Sequence, residues 1–384
     1  MLLRFRRALA ATAITVGALA GAGGWAAADT QRAVTGPPPG SAAWVADTTL
    51  GVRPPDPANA PPAEVAAFLA ALPAGQRDAL AARHPLVVGN LDGAPPALRY
   101  RANALALAEE LDKERARATD PALTAQDHAA ARARAERYRT LLADGRQILA
   151  FDPRGRGQVA EVYGDLTTAR HTAVVVPGSD IDLMSFDRAG ETFGTPAGMA
   201  RSLLDATGRR AAAGSTAVVA WAGYTTPVGV GLDAATENLA RAGADRLGRL
   251  LTGLAVTTGP AAPATVFCHS YGSVVCGLAR PGPDQASNVV VLGSPGMGVD
   301  GADRLDARVP LWATERNGSD WIGGVPHVSV LGLGHGADPT AAGFGARLLP
   351  SAGSHGHTGY FAPGTASLAA FADLTLGRTP AGAS

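Results

Sequence analysis

From Gln147 onward the chain alternates short β-branched apolar runs with helical stretches, and that rhythm leaves few folds open. The runs cover residues 148–151, 159–163, 172–176, 216–221, 265–267, 288–292, 309–313 and 328–331. Each is short and mostly rich in Val, Ile, Thr or aromatic residues, as buried strands are. The first two flank Asp152-Pro-Arg-Gly-Arg-Gly157 and read as a hairpin. From the third onward helical patterns intervene, for example over 196–206 and 234–254. The rhythm predicts an α/β class: a mostly parallel sheet covered by helices on both faces. Ligands of such sheets bind beyond the carboxyl ends of the strands.

One strand end carries a reactive residue. Thr265, Val266 and Phe267 lead into Cys268-His269-Ser270-Tyr271-Gly272, after which Val274, Val275, Leu278 and Ala279 recur at helical spacing. A serine on so tight a strand-to-helix turn has its hydroxyl forced outward, the arrangement known as a nucleophile elbow. The usual elbow reads Gly-x-Ser-x-Gly; Gly272 supplies the second glycine, while Cys268 stands at the first. Cysteine is small and tolerates burial, so the close approach of helix to strand survives the exchange. The bland reading is that Ser270 only caps a helix. The sharper one requires a base nearby, because free serine is a poor nucleophile.

Bulk properties narrow the partners. The 384 residues carry no net charge and show no basic stripe, which argues against nucleic acid. Lys113 is the sole lysine against 32 arginines, a coding bias that says little about arginine chemistry. Arg4, Arg6 and Arg7 precede a small-apolar stretch over 8–22 and then Trp25-Ala-Ala-Ala28-Asp29. That pattern describes a secretory signal over 1–28, cleaved after Ala28, with an uncleaved membrane anchor as the alternative. A secreted or cell-surface protein is expected, touching membrane only through this segment. Export would permit a disulfide. Cys276, however, lies about 9 Å of helix rise past the elbow, and bonding it to Cys268 needs a well-aimed approach. Two buried thiols are the expectation.

Residues 29–60 are rich in Pro, Gly, Ala and Thr and read as a linker that Trp44 anchors in part. Residues 61–145 read as helical. Val65, Phe68, Leu69 and Leu72 share a face, Leu80 follows after Pro73, and Leu105, Leu107, Leu111, Tyr138, Leu141 and Leu142 continue the stripes. Between them 84–96 is turn-rich. This half looks like a helical cap or support for a catalytic domain over 146–384.

A serine nucleophile on this architecture is served by an acid and then a histidine in chain order. After the run ending at Ala313 comes Thr314-Glu-Arg-Asn-Gly-Ser-Asp320, which places Asp320 in a turn beyond a strand end. Its alternative is an Asx-turn or helix cap. Glu315 is the nearest rival, with Asp338 and Asp303 less well placed. Of His335, His355 and His357, the last sits best, in the glycine-rich loop before the final helix; His355 is second and His335 third. A metal held by His355, His357 and Asp338 matches no complete ligand set. Backbone donors for a developing oxyanion are the Tyr271 amide, next to the nucleophile, and the Ser179 amide, in the Pro177-Gly178-Ser179-Asp180 turn. The same Pro-Gly can be a plain turn signal. Asp180 and Asp182 could orient that loop or a substrate. His269 packs under the elbow, too close in sequence to serve as the base.

These residues resemble the actinobacterial α/β-hydrolases of the abhydrolase-8 type, long catalogued as a domain of unknown function. Similar segments are His269-Ser-Tyr-Gly-Ser273, His335 to Pro339 with Phe344-Gly345, and His357-Thr-Gly-Tyr-Phe361. In the helical half Leu72-Pro73, Arg77, Leu80, Val88-Gly-Asn-Leu-Asp-Gly-Ala-Pro95, Arg99 and Ala102-Asn103 match as well. The resemblance covers roughly residues 60–370, with Cys268 its main departure. It implies an α/β-hydrolase fold with an N-terminal helical region, and Ser270, Asp320 and His357 as a triad, and it leaves the substrate open. The expected activity is hydrolysis of a small-molecule or lipid-like ester, thioester or amide without a cofactor. A peptidase on the same triad, or a binding protein on a hydrolase scaffold, are the alternatives.

Overall fold

The computed structural model describes residues 30–258 and 263–383; the leader assigned to 1–28 lies outside them. Eight strands form one sheet: β1 (Gln147–Asp152), β2 (Gln158–Tyr163), β3 (His171–Val176), β4 (Thr216–Ala222), β5 (Ala264–His269), β6 (Ala286–Leu292), β8 (Leu311–Thr314) and β10 (Arg347–Leu349). Their order is β1-β2-β4-β3-β5-β6-β8-β10, while β7 (Gly296–Val299) and β9 (His335–Gly336) pair separately. β1 and β2 form the expected antiparallel hairpin, β2 meets β4 antiparallel, and every later pairing in the large sheet is parallel. Seven of the eight apolar runs are strands. The eighth, 328–331, is an exposed loop with a single bridge between Val330 and Leu333. The last strand is instead Arg347–Leu349, which at three residues is too short to announce itself.

Successive residues of the central strands feed opposite faces of the sheet. Ala173, Val175 and Phe267 face one core, which α7 (Pro196–Gly208) and α11 (Ala366–Thr375) cover. Val174, Val266 and Cys268 face the other, covered by α9 (Asn238–Thr257) and α10 (Gly272–Ala279). Burial along their whole length, on both faces, explains why β4 and β5 are mostly apolar rather than alternating.

The N-terminal half contains α1 (Ser41–Val45), α2 (Pro62–Ala70), α3 (Ala74–Arg83), α4 (Pro85–Asn90), α5 (Pro96–Arg117) and α6 (Ala125–Leu141). α4 falls inside the stretch read as turn-rich: Pro85 fits a first helical turn, and the helix stops after six residues. α2 to α4 and the start of α5 close around Trp44, whose indole donates to Pro55 O at 2.8 Å. α5 and α6 then add Leu107, Leu111, Tyr138 and Leu141 to the first sheet core. Leu105, counted in the apolar stripe, is exposed. The helical half is thus packed onto the sheet beside β1. The Pro-rich stretch read as a linker lies on the body too: Val34 N donates to Thr225 Oγ1, and Arg154 reaches Thr35 O.

Two asparagines stitch this half to β1. Asn90 donates to Phe151 O at 2.7 Å and accepts from Phe151 N at 3.2 Å, and Asn103 donates to Ile148 O at 2.9 Å. Gly89 is required beside them, since a Cβ there would lie 2.1 Å from Asn103 Oδ1. Asn90→Ala would leave Phe151 N–H and C=O unpaired, so unfolding stability should fall by about 1–3 kcal/mol in urea titrations. An unchanged midpoint would refute this anchoring.

Candidate active site

The β5–α10 junction holds Ser270 at φ +55°, a left-handed conformation that a serine adopts only under constraint. Its amide donates to Leu292 O at 3.0 Å, and its carbonyl accepts from Ser273 N at 2.9 Å. The helix leaves β5 so steeply that a Cβ on Gly272 would sit 2.6 Å from Val176 O, which is why glycine stands there. Ser270 is 8% exposed. Among the described residues its hydroxyl bonds to no protein group, yet it is not one of the sealed, unpartnered polar atoms, so the oxygen opens to solvent.

Cys268 and Cys276 form a disulfide, which corrects the expectation of two thiols. Helix rise alone overestimated their separation, because α10 turns back along the sheet face toward which Cys268 points, bringing the two Cα atoms to 6.4 Å. The residue at the first glycine position of the elbow is therefore half of a staple between strand and helix. Denatured, unreduced protein should show no free thiol in a thiol-reagent titration; two reactive thiols would contradict the pairing.

Asp320 and His357 meet through two zipped loops. Asn317 Nδ2 donates to Gly356 O at 2.8 Å, Gly356 N to Ser319 Oγ at 2.8 Å, and His357 Nδ1 lies 2.8 Å from Asp320 Oδ1. Burial would raise the Asp320 carboxyl, but hydrogen bonds from His357, Tyr360 and Ile322 outweigh it and hold it below its ordinary value. An ionised carboxylate can only accept, so Nδ1 carries the proton and Nε2 presents its lone pair. Tyr360 OH donates to the second oxygen at 2.5 Å. The exposed Trp321 ring lies against the imidazole, with centroids 4.7 Å apart.

The two halves meet around Ser270. His269 packs its ring 4.7 Å from that of His357 and donates from Nε2 to His357 O at 2.8 Å. On the other side, Gly293 follows the acceptor of the Ser270 amide, and a Cβ on it would lie 3.0 Å from His357 Cε1. No direct hydrogen bond joins the serine hydroxyl to the imidazole among the described residues; such bonds often tighten only with substrate. Gly178 runs alongside the serine, where a Cβ would come within 2.9 Å of Oγ. The Ser179 and Tyr271 amides find no protein acceptor among the described residues. Asp180, at φ +64°, fixes their loop by accepting from Gly229 N at 2.7 Å, and Asp182 pairs with Arg156 at 2.8 Å.

The rival residues are elsewhere or occupied. Glu315, Asp303 and His355 are exposed. Asp338 is held by Arg316 and Thr340, and His335 is buried with Nε2 on Ala234 O. Sequence reasoning quoted Tyr360 without a role and passed over Asn317, Ser319, Gly293 and Trp321. Gly293 had a usable signal, a glycine at the carboxyl end of a central strand.

Residues 152–330 match the α/β-hydrolase family model of the abhydrolase-8 type. They belong to the α/β-hydrolases. The mostly parallel sheet clothed on both faces is the fold that this match predicts, and the N-terminal helical region lies outside the matched residues. An uncharacterised protein of Mycobacterium tuberculosis is 30% identical over 391 aligned positions, covering 87% of this chain. The chain spans 59% of that relative's length. An uncharacterised Mycobacterium bovis protein is 40% identical over 92 residues, 24% of this chain and 34% of its own. Among solved structures, a predicted CIB-like hydrolase of Thermoplasma acidophilum aligns with TM-score 0.34 at 13% identity, over 60% of this chain and 95% of its own. Apo Thermogutta terrifontis esterase 2 aligns with TM-score 0.28 at 12% identity, over 57% and 86%.

His269 gives the elbow a pH-sensitive support. Burial drives its imidazole down from 6.5 to about 3, so it stays neutral when folded. The unfolded chain binds that proton first, so stability contributed by neutral His269 is full above about 6.5 and is lost as pH falls. The loss should approach about 1.4 kcal/mol per pH unit between those values. His269→Gln should flatten that slope in denaturation curves taken at several pH values; an unaltered slope would rule the role out.

Proposed function

We propose that this α/β-hydrolase is an exported serine hydrolase that cleaves carboxylic esters through an acyl-enzyme. Ser270 Oγ attacks the ester carbonyl while His357 Nε2 accepts its proton. The new tetrahedral oxygen takes hydrogen bonds from the Tyr271 and Ser179 amides. Collapse of the intermediate expels the alcohol, which His357 protonates. Water, deprotonated by the same imidazole, then attacks the acyl-enzyme and frees the acid. Asp320 keeps the imidazole in its useful tautomer and balances its positive charge, with Tyr360 and Ile322 N steadying the carboxylate.

One observation carries the reading: a strained serine flanked on one side by unpaired amides and on the other by a carboxylate-held imidazole. The apolar rim supports an ester with a hydrophobic acyl or alcohol part. Met184, Val228, Val230, Leu232 and Trp321 are exposed on loops that carry or adjoin the site, and Leu331 is 97% exposed. A scattering of single apolar residues would mean little, but such a grouping marks a binding surface. The Cys268–Cys276 disulfide and the basic-then-apolar leader support export.

A fluorophosphonate probe should label the wild type and not Ser270→Ala. Asp320→Asn should cut kcat/KM on p-nitrophenyl esters by about four orders of magnitude. Rates should rise from acetate to octanoate esters and stay far lower on peptide p-nitroanilides. Failure of the folded wild type to label would leave a binding protein on a hydrolase scaffold, and equal labelling of Ser270→Ala would overturn Ser270 as the nucleophile.

A further inference from the structure

The strongest unexplained feature lies where four parts of the chain meet: the helical half, the 34–38 strap, the end of the sheet at β1, β2 and β4, and α9. They enclose a cavity of about 210 Å³. The Gly89-Asn-Leu-Asp-Gly93 motif, which no step of the hydrolysis uses, contributes Asn90 and Asp92 to its wall. Trp221 supplies apolar wall, with Pro37 and Pro38 from the strap.

Two polar groups of the wall are left without partners. Gln158 is 3% exposed, and neither its amide nitrogen nor its amide oxygen is hydrogen-bonded. Unmet groups of this kind are costly, so they are kept only where something offsets them. Arg246, only partly exposed, makes no ion pair or hydrogen bond among the described residues. Its neighbours are committed elsewhere: Asp92 to Arg99, Asp152 to Arg154, and Arg249 to Ala60 O. Asp245, the remaining carboxylate of the wall, is exposed. Burial pulls the Arg246 guanidinium below its ordinary value, while Asp152 and Asp92 oppose this from beyond ion-pair distance.

We propose that this cavity binds a small organic carboxylate, its oxygens meeting the Arg246 guanidinium and its apolar body lying between Trp221 and the strap prolines, near the Gln158 amide. A guanidinium fork presents two parallel donors that match a carboxylate. The volume suits a ligand of about ten heavy atoms, in the lower reach of ordinary small-molecule sites. The proposal stands independently of the hydrolytic reading, because none of the residues named belongs to the serine, acid or histidine set.

Benzoate is the probe, with benzyl alcohol as its uncharged counterpart and inorganic phosphate as an oxyanion without the apolar body. Benzoate should bind the full-length protein saturably by calorimetry and raise its melting temperature, whereas benzyl alcohol and phosphate should not. Ser270→Ala should bind benzoate as the wild type does, which separates this site from the fate of the catalytic proposal. Arg246→Met and Gln158→Leu should each weaken benzoate roughly tenfold or more. Without ligand, Arg246→Met should melt at the same temperature as the wild type or higher, because an unpaired, partly buried charge has gone. The site is overturned if the wild type shows no saturable benzoate binding, if phosphate alone binds, or if Arg246→Met leaves benzoate affinity intact. A lower ligand-free melting temperature for Arg246→Met would also overturn it, by revealing a structural role for the guanidinium.

Discussion

A left-handed serine is the constraint around which this molecule is arranged. Holding Ser270 at φ +55° costs on the order of 1–3 kcal/mol, and nothing local to a serine repays it. Repayment comes from the surroundings. The amide is tied to β6, the following turn is tied back to the carbonyl, and glycines at 178 and 272 let two backbones crowd the residue. The disulfide adds a covalent link between the strand that arrives and the helix that leaves. Strain persists only where neighbours over-determine it, and here they do so from every side.

Asp320 and His357 show the same logic in softer material. Both sit on loops, which ordinarily move, yet Asn317, Ser319 and Asp320 bind Gly356 and His357 as if the two loops were paired strands. His269 then couples this unit to the elbow through the His357 carbonyl. Its ring is buried and neutral, so it donates a hydrogen bond without adding a charge beside the imidazole.

Much of this was legible in the residues, and the reasons for the rest are physical. Central strands were readable because burial on both faces favours apolar residues on both sides of the strand, as over most of β4 and β5. Residues 328–331 imitate that pattern but lie exposed, since composition records hydrophobicity and not its destination. β10 was invisible because a three-residue edge strand is paired on one side only. Ser270, Asp320 and His357 stood out through chain order and the turns around them. Tyr360, Asn317 and Ser319 did not, since support of a carboxylate or a loop depends on three-dimensional approach. The disulfide was misjudged because distance along a helix was read as distance in space.

The two asparagines on β1 have a consequence for how the molecule behaves in company. A sheet this size ends in a strand whose outward amides and carbonyls would pair with any passing chain. Asn90 and Asn103 occupy those positions on Phe151 and Ile148, serving as a ninth strand made of side chains. At the opposite margin β10 offers only three residues. The sheet is therefore closed to extension at one border and nearly so at the other, which protects a crowded solution of this protein from growing into fibres.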